Sequence, residues 1–475
     1  MARSLATGPA DGAPLRYIPL SYNHTDSQAS ALRLVLALNP AWERAAGKIE
    51  FVRFTDGITN TLLKIIRRAP GLTDEEIDNE AVLMRAYGNH TEVIIDREKE
   101  VRSHALLAAR GLAPPLLARF RNGLLYRFIR GQVASPHDLT QPAIWRGVAR
   151  RLAQWHAVLP INETAAHMKP HHEADTPATP LDLADAHLLD GAGVPAKDDD
   201  IVPVATAEQS GGATLWTVLQ KWIVALPATT ERERERRRLL QREFERTVAE
   251  LDDKSGLGEN GLIFAHCDLL CANVIVQPKP PSSTSTANSA VETVSFIDYE
   301  YATPSPAAFD IANHFAEWGG YDCDYNMLPT RAVRRGFLAE YVQSYRQHTP
   351  PPPPASQTCD ASSADDSDSD HDDDAALVDR LFRDVDRFRG IPGFYWYEHI
   401  LDSPMFRIDT NPLYFVDRGV WALIQATISR IDFDYASYAE ERLGEYWAWR
   451  RELDGSRAAA GEEMPLRERR WAQEA

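Results

Sequence analysis

Two short strings constrain this chain more than any other feature. Phe264 to Val276 (FAHCDLLCANVIV) sets a polar loop between two apolar, strand-like runs and places Asp268 and Asn273 five residues apart within it. Ser295 to Tyr301 (SFIDYEY) ends a further apolar run on Asp298, and Glu300, two residues on, points to the same side of an extended segment. Between the strings, Pro278 to Asn288 (PKPPSSTSTAN) has nothing to pack, so Val274 to Val276 and Val294 to Ile297 read as the arms of a hairpin with a stretched loop. The first string alone is better explained by local turn hydrogen bonds of an Asp and an Asn, and it is the second that changes the reading. Together they gather carboxylate and amide oxygens at one place, the donor set that magnesium prefers.

The remainder has room for more than one core, because 475 residues is two to three times a typical domain. Ile49 to Phe54, Leu62 to Ile66 and Val82 to Arg85 read as strands, and Glu98 to Ala109 as a helix. Farther on, Val148, Leu152 and Trp155, then Leu240, Phe244, Val248 and Leu251, repeat at the spacing of a buried helical stripe. A strand-rich part therefore precedes a helix-rich one. We expect an N-terminal extension over 1–45, a small lobe over 46–130 and a helical lobe over 131–475. Met168 to Gly212 reads as a surface insertion, Pro350 to Ala375 as an unstructured acidic tract, and Glu231 to Arg238 (ERERERRR) as a solvated helix face.

Charge excludes one class of partner. The net charge of -18 argues against nucleic acid, which demands a basic face. Eight aspartates between Ala355 and Ala375 account for much of it, leaving the rest at -10. Four cysteines are too few and scattered for a disulfide framework, and Cys267 and Cys271 lack the second pair a zinc site needs. With no apolar h-region in the first twenty residues and no apolar run of 18, a cytoplasmic protein is expected.

The spacing of Asp268 and Asn273 is that of a kinase catalytic loop. There a carboxylate orients the proton of an attacking hydroxyl and an amide oxygen one turn along reaches a nucleotide-bound magnesium ion. Asp298 and Glu300 supply further metal-facing acids. In Phe54 to Asn60 (FTDGITN), Gly57 and Asn60 lie in a turn suited to covering phosphates, although an ordinary hairpin explains the turn equally well. Arg85 stands on a strand where a phosphate-contacting lysine is usual, and Glu100 on the next helix can pair with it. Arginine would hold phosphate as a planar fork and not as a point charge.

VLMRAYG, HCDLLCAN and IDYEYATPSPAAFDIANHFAEWGG together resemble the choline/ethanolamine kinase family, and FTDGITN with the LLC of the loop is most similar to its ethanolamine kinase branch. The resemblance implies an α+β, protein-kinase-like fold with a small antiparallel-sheet lobe and a larger helical lobe. It implies transfer of the γ-phosphoryl group of ATP to the hydroxyl of ethanolamine with Mg2+, Asp268 as base, Asn273 and Asp298 as metal ligands and Glu300 near the metals. Arg85, Glu100, Gly57 and Asn60 would serve the nucleotide. Tyr301, Glu317, Trp318, Trp396, Trp421 and Tyr438 fall at positions near the family's amino-alcohol pocket, and Asp310 is expected to brace the catalytic loop. A homodimer is compatible with the resemblance. Choline, whose quaternary ammonium asks for an aromatic cage, remains the alternative substrate. A pseudokinase or scaffold is the rival of another class, motivated by His266-Cys267-Asp268 in place of the family's H-N-D and by a C-terminal interruption.

That interruption is Tyr397 to Arg418. Deleting it joins Phe394-Tyr395-Trp396 to Gly419-Val420-Trp421 and restores a string resembling the family's. Codons for Trp-Tyr-Glu can contain a splice-donor-like GTATGAG and those for Asp-Arg an AG acceptor, so these residues read as translated intron, an expectation that sequencing the transcript decides.

Overall fold

The computed structural model describes residues 15–54, 60–87, 97–159, 161, 214–226, 228–252, 255–279, 291–320, 322–349, 369–395 and 435–475. The small lobe is a six-stranded sheet in the order β1-β5-β6-β4-β3-β2, built from β1 (Tyr17–Ile18), β2 (Lys48–Phe54), β3 (Asn60–Arg68), β4 (Val82–Tyr87), β5 (Leu116–Phe120) and β6 (Gly123–Arg127). All its pairs are antiparallel except β1 with β5. Alternation along β3 sends Leu63 and Ile65 into a core shared with Val82 and Met84 of β4 and Leu125 of β6. The other side of that core is Leu34, Val35 and Leu38 of α1 (Ser27–Leu38) with Ile18 of β1. Residues 15–45, expected as an extension, are thus part of the lobe: they carry a sheet strand and an apolar helix stripe that would otherwise face water. Two helices interrupt the sheet in sequence, α2 (Asp74–Glu80) and α3 (Arg97–Ala109).

Gly123 fixes one detail that matters below. A Cβ there would lie 2.1 Å from the Arg85 carbonyl oxygen, so only glycine lets β6 lie flush against the strand that carries Arg85.

The helical lobe begins with β7 (Gln132–Val133), α4 (Pro136–Leu139) and α5 (Pro142–Val158), followed by α6 (Leu215–Ala225) and α7 (Glu231–Leu251). Val148, Leu152 and Trp155 of α5 are fully buried, and Leu240, Phe244, Val248 and Leu251 of α7 join the same core, as their spacing predicts. Short strands β8 (Ile263–Ala265), β9 (Val274–Val276), β10 (Val294–Phe296) and β11 (Thr303–Ser305) form two small sheets, β10-β9-β7 and β11-β8. The β9–β10 pairing is the expected hairpin. Helices α8 (Ala307–Ala316), α9 (Arg331–His348), α10 (Ser369–Phe388), α11 (Ile391–Tyr395), α12 (Tyr435–Leu453) and α13 (Leu466–Ala472) complete the lobe.

Two sequence expectations change here. Glu233, Arg236 and Arg237 of the ERERERRR run are buried, because alternation with period two wraps all round a helix of period 3.6. Glu233 caps α7, accepting from the Thr230 backbone at 2.8 Å and the Thr229 hydroxyl at 2.5 Å. Ser369 to Ala375, expected within the unstructured tract, begin α10. Acidic residues are favoured in the first turns of a helix by its dipole, and Asp374 meets Arg346 of α9 at 2.5 Å. The insertion at 168–212, the loop at 280–290, the tract at 350–368 and Tyr397 to Arg418 lie outside the described residues. No described helix is long and apolar enough to cross a membrane.

Candidate active site

The loop between β8 and β9 is held by three residues on one face of α8. Asp310 accepts the backbone N–H groups of His266 and Cys267 at 2.9 and 2.8 Å, the Asn313 amide donates to the Cys267 carbonyl at 3.0 Å, and the His314 ring donates to the Leu269 carbonyl at 2.8 Å. These side chains stand at i, i+3 and i+4, so one helix face satisfies consecutive loop backbone groups that burial would otherwise orphan. Asp310 itself accepts from His156 Nε2 at 2.9 Å, and His156 Nδ1 meets the Tyr341 hydroxyl at 2.7 Å. Burial would raise the Asp310 carboxyl, but the hydrogen bond and charge of His156 outweigh it and hold it below its usual range. Asp310 is therefore the brace the sequence predicted. His156 and Tyr341, from distant helices, were not anticipated.

His266 ties this loop to the strand end bearing Asp298. Its Nδ1 accepts the Asp268 backbone N–H at 3.3 Å and its Nε2 donates to the Ile297 carbonyl at 3.0 Å. Burial holds the imidazole below its ordinary pKa, which suits this neutral tautomer.

The loop presents Asp268, partly exposed, with Asn273 beside it: the amide nitrogen donates to the Asp268 carbonyl at 2.7 Å and to its carboxylate at 3.2 Å. Since the nitrogen is spent on the loop, the amide oxygen is left for other work. Burial pushes the Asp268 carboxyl well up, and the charges of Asp298, Glu317 and Glu300 push it further. Asp268 thus feels three other carboxylates. Asp298 has φ of 65° and Cys267 φ of 63°, two of the four non-glycine residues in the left-handed region among those described. Such strain gathers where a side chain must be aimed against the backbone's preference.

The small lobe meets these acids with two arginines. Arg85 of β4 donates to Asp298 at 2.8 Å and to Glu300, and lies 3.6 Å from Glu100 of α3, the pairing expected from sequence. Arg97 donates to Glu100 at 2.9 Å and to Glu300 at 3.1 Å. Asn60 completes the group, its amide 3.5 Å from Glu300. Burial, Asp298 and Glu100 push the Glu300 carboxyl up to about 7, against Arg85 and Arg97. Asp298, with 31% of its side chain exposed, faces the cleft, whereas Glu300, at 3%, lies behind it between guanidiniums. Arg97 went unnoticed in the sequence, although its place three residues before Glu100 on one helix was a readable signal.

Glu317, whose charge Asp268 also feels, follows α8 directly, buried and paired with Arg442 of α12. Trp318, 1% exposed, donates to His314 at 3.1 Å and packs edge-on against Phe315, a core position. Tyr301 stands edge-on to Trp222, with centroids 6.3 Å apart, and Trp222 lies 4.8 Å from Tyr395, which meets Phe309 at 5.3 Å. Tyr395 is near enough to Asp268 that the carboxylate's charge, after burial, helps raise its hydroxyl pKa. Trp222 and Tyr395 were not singled out in the sequence, because each sits in a run that reads simply as helix core. Gly57, Trp396 and Trp421 lie outside the described residues, and Tyr438 is described only as a position in the first turn of α12.

Cys267 replaces an asparagine in the family's pattern and departs from it in a way the structure explains. Asparagine tolerates the left-handed region far better than cysteine, and the Cys267 sulfur lies 3.5 Å from the Ser305 hydroxyl and 4.0 Å from the Thr303 carbonyl, partners an amide could use. Burial pushes the thiol pKa up, so it stays un-ionised. Cys267→Asn is expected to stabilise the fold by about 1 kcal/mol. Thermal unfolding measures this, and a fall in melting temperature would count against the strain argument.

The donor set suits a hard divalent cation: a cleft-facing carboxylate on Asp298, the free amide oxygen of Asn273 and an excess of negative charge. Among the described residues no three His, Cys, Asp or Glu side chains converge as a metal cage, so nucleotide phosphates would have to complete the shell.

Comparison with known proteins fits this geometry. The family described as choline/ethanolamine kinase matches residues 51–447. Ethanolamine kinase 1 of Mus musculus is 30% identical over 424 residues, covering 89% of this chain and 89% of that protein. A probable ethanolamine kinase of Nematostella vectensis is 29% identical over 400 residues, 84% of this chain and 87% of that one. Among solved structures, the Plasmodium vivax ethanolamine kinase superposes with a TM-score of 0.53 at 19% identity, covering 89% of each chain. The choline kinase of Cryptosporidium parvum Iowa II gives 0.53 at 19%, over 90% of this chain and 97% of that one. At such identities the two structures speak for the two-lobed, kinase-like fold, and the sequence match for the lineage: this chain belongs to the choline/ethanolamine kinase family.

Proposed function

We propose that the protein is an ethanolamine kinase, using ATP and Mg2+ to phosphorylate the hydroxyl of ethanolamine to phosphoethanolamine, the first step toward phosphatidylethanolamine. One observation carries this reading: Asp268, on a loop held by one face of α8, feels the charges of Asp298, which Arg85 of the small lobe meets, and of the buried Glu317, which Arg442 of the helical lobe meets. We read these three acids as a base, a metal-facing acid and an ammonium-facing acid. The similarity to ethanolamine kinases over 89% of the chain supports it.

Each residue then has a task. Asp268 orients the substrate hydroxyl and takes its proton as the bond from that oxygen to the γ-phosphorus forms and the bond from the γ-phosphorus to the bridging oxygen breaks, releasing ADP. Asn273 and Asp298 would hold the metal, which when bound neutralises phosphate charge and keeps the γ-phosphoryl group in line. Glu300, clasped by Arg85 and Arg97, is read as the counter-ion that fixes Arg85 beside Asp298 at the nucleotide phosphates. Asn60 and Gly57 belong to the turn over those phosphates. Glu317 supplies the acceptor that a primary ammonium's three N–H groups require. Of the other expected pocket residues, Tyr301, Trp396, Trp421 and Tyr438 are proposed as its aromatic surroundings and Trp318 as their support.

A second reading is choline kinase, whose quaternary ammonium would need an aromatic cage; Trp222, Tyr395 and Tyr301 are gathered in one group but are buried against one another. Magnesium-dependent phosphate transfer to ethanolamine and to choline, measured side by side, separates the two. The expected result is a kcat/KM for ethanolamine at least about tenfold above that for choline, a difference of about 1.4 kcal/mol. Preference for choline would establish the second reading, and transfer to neither would leave only a scaffold. The same reading places the reaction in the cytoplasm and is compatible with a homodimer, which sedimentation would reveal.

A further inference from the structure

Six charged side chains of alternating sign run inward from the cleft through the helical lobe. Glu317 pairs with Arg442, whose other terminal nitrogen lies 3.4 Å from Glu445, one turn along α12. Glu445 meets Arg467 of α13 at 3.2 Å, Arg467 meets Glu468 at 3.1 Å, and Glu468 meets Arg389 at 2.9 Å. Only Arg389 has appreciable contact with water. Gly393 of α11 brings α12 close at the relevant point, since a Cβ there would lie 2.3 Å from the Arg442 carbonyl oxygen.

A row of buried ion pairs is a poor device for stability alone, because apolar residues of similar size would hold the helices together at least as well. It is a good device for fixing a charged group in one place. The row is balanced, three carboxylates against three guanidiniums, and its cleft end is Glu317, whose charge Asp268 feels. Burial raises the Glu317 carboxyl above its usual range; Arg442 works against that and Glu445 adds to it. Arg467 and Glu468 lie beyond residue 447, where the family match ends. The far part of the row therefore comes from chain beyond the family match, while Arg442 and Glu445, nearest the acid, lie within it.

We infer that Arg442 is a positioning residue for recognition of the substrate's ammonium group, holding Glu317 in place, and that α13 holds Arg442 in turn through Arg467 and Glu468. The inference rests on the ethanolamine kinase reading of the site. It is tested in the full-length protein by ethanolamine KM, ATP KM, kcat and melting temperature for Arg442→Met, Arg442→Lys and Glu468→Gln. Arg442→Met is expected to raise the ethanolamine KM about tenfold with ATP KM and kcat within about twofold, the mark of a lost binding interaction. Arg442→Lys should recover most of that, and Glu468→Gln should raise the ethanolamine KM about threefold with ATP KM unmoved. An unchanged ethanolamine KM in a folded Arg442→Met overturns the inference, as does a rise of both KM values in step with a fall in melting temperature. Should Arg442→Met not fold, an unchanged ethanolamine KM in both other variants overturns it. A wild-type protein that phosphorylates no amino alcohol overturns the functional reading and this inference with it; an active wild type with unmoved variants overturns the inference alone.

Discussion

Asp268→Asn is expected to lower kcat for ethanolamine phosphorylation about a thousandfold, within the range a positioned general base contributes, while nucleotide affinity stays within about threefold. The substitution keeps the shape of the side chain and the contact with Asn273, so the loop should stand: its braces run through backbone groups to Asp310, Asn313 and His314, not through the Asp268 carboxylate. What disappears is the acceptor for the hydroxyl proton. The charges of Asp298, Glu300 and Glu317 also lose a repelling neighbour, so the variant should be as stable as the parent or slightly more so. Single-turnover transfer, nucleotide titration and thermal unfolding together check these statements. Turnover near that of the parent would remove Asp268 from the reaction.

Arg85→Met is expected to cost about 3 kcal/mol of stability and to abolish measurable turnover, because it strands Asp298, Glu300 and Glu100 without their shared cation in a largely buried place. Arg97 remains on Glu300 and Glu100, which keeps the loss from being larger. Asp298 keeps no such partner among the contacts described, so it is the group most disturbed, and with it the metal site proposed there. Arg85→Lys should restore most of the stability but little of the activity. A single ammonium can neutralise charge, yet it cannot reach three carboxylates in different directions as a planar fork does. Denaturant unfolding of both variants, with nucleotide titration, provides the check. An Arg85→Met protein as stable as the parent would mean that the three acids find their balance elsewhere.

Much of the site was legible because it is local. The step from Asp268 to Asn273, the hairpin that returns with Asp298 and the face of α8 bearing Asp310 are matters of spacing within one loop, one pair of strands and one helix. Glu100 was legible as a partner for Arg85 because the helix follows the strand directly. The small lobe was read too narrowly, since residues 15–45 look like a polar leader with one apolar stripe until a sheet is there for Leu34, Val35 and Leu38 to cover. The charged run in α7 misled for the opposite reason: its composition says water, yet three of its members are buried, Glu233 against Thr229 and Thr230 at the start of its own helix.

The sequence by itself determined what depends on short range: the periods of strands and helices, the acids available for chemistry, and the order in which the chain delivers them. Only the tertiary structure decided which charges meet. Arg85 and Asp298 are 213 residues apart and Glu317 and Arg442 are 125 apart, and no periodicity links such positions. Packing brings them together, and burial then changes what they are worth, for a carboxylate removed from water must find a cation or give up its charge. That is why Glu300, by sequence one more acid beside the metals, is in the folded protein the counter-ion of two arginines, and why Glu317 stands on a row of charges that runs through the last helix to Arg389.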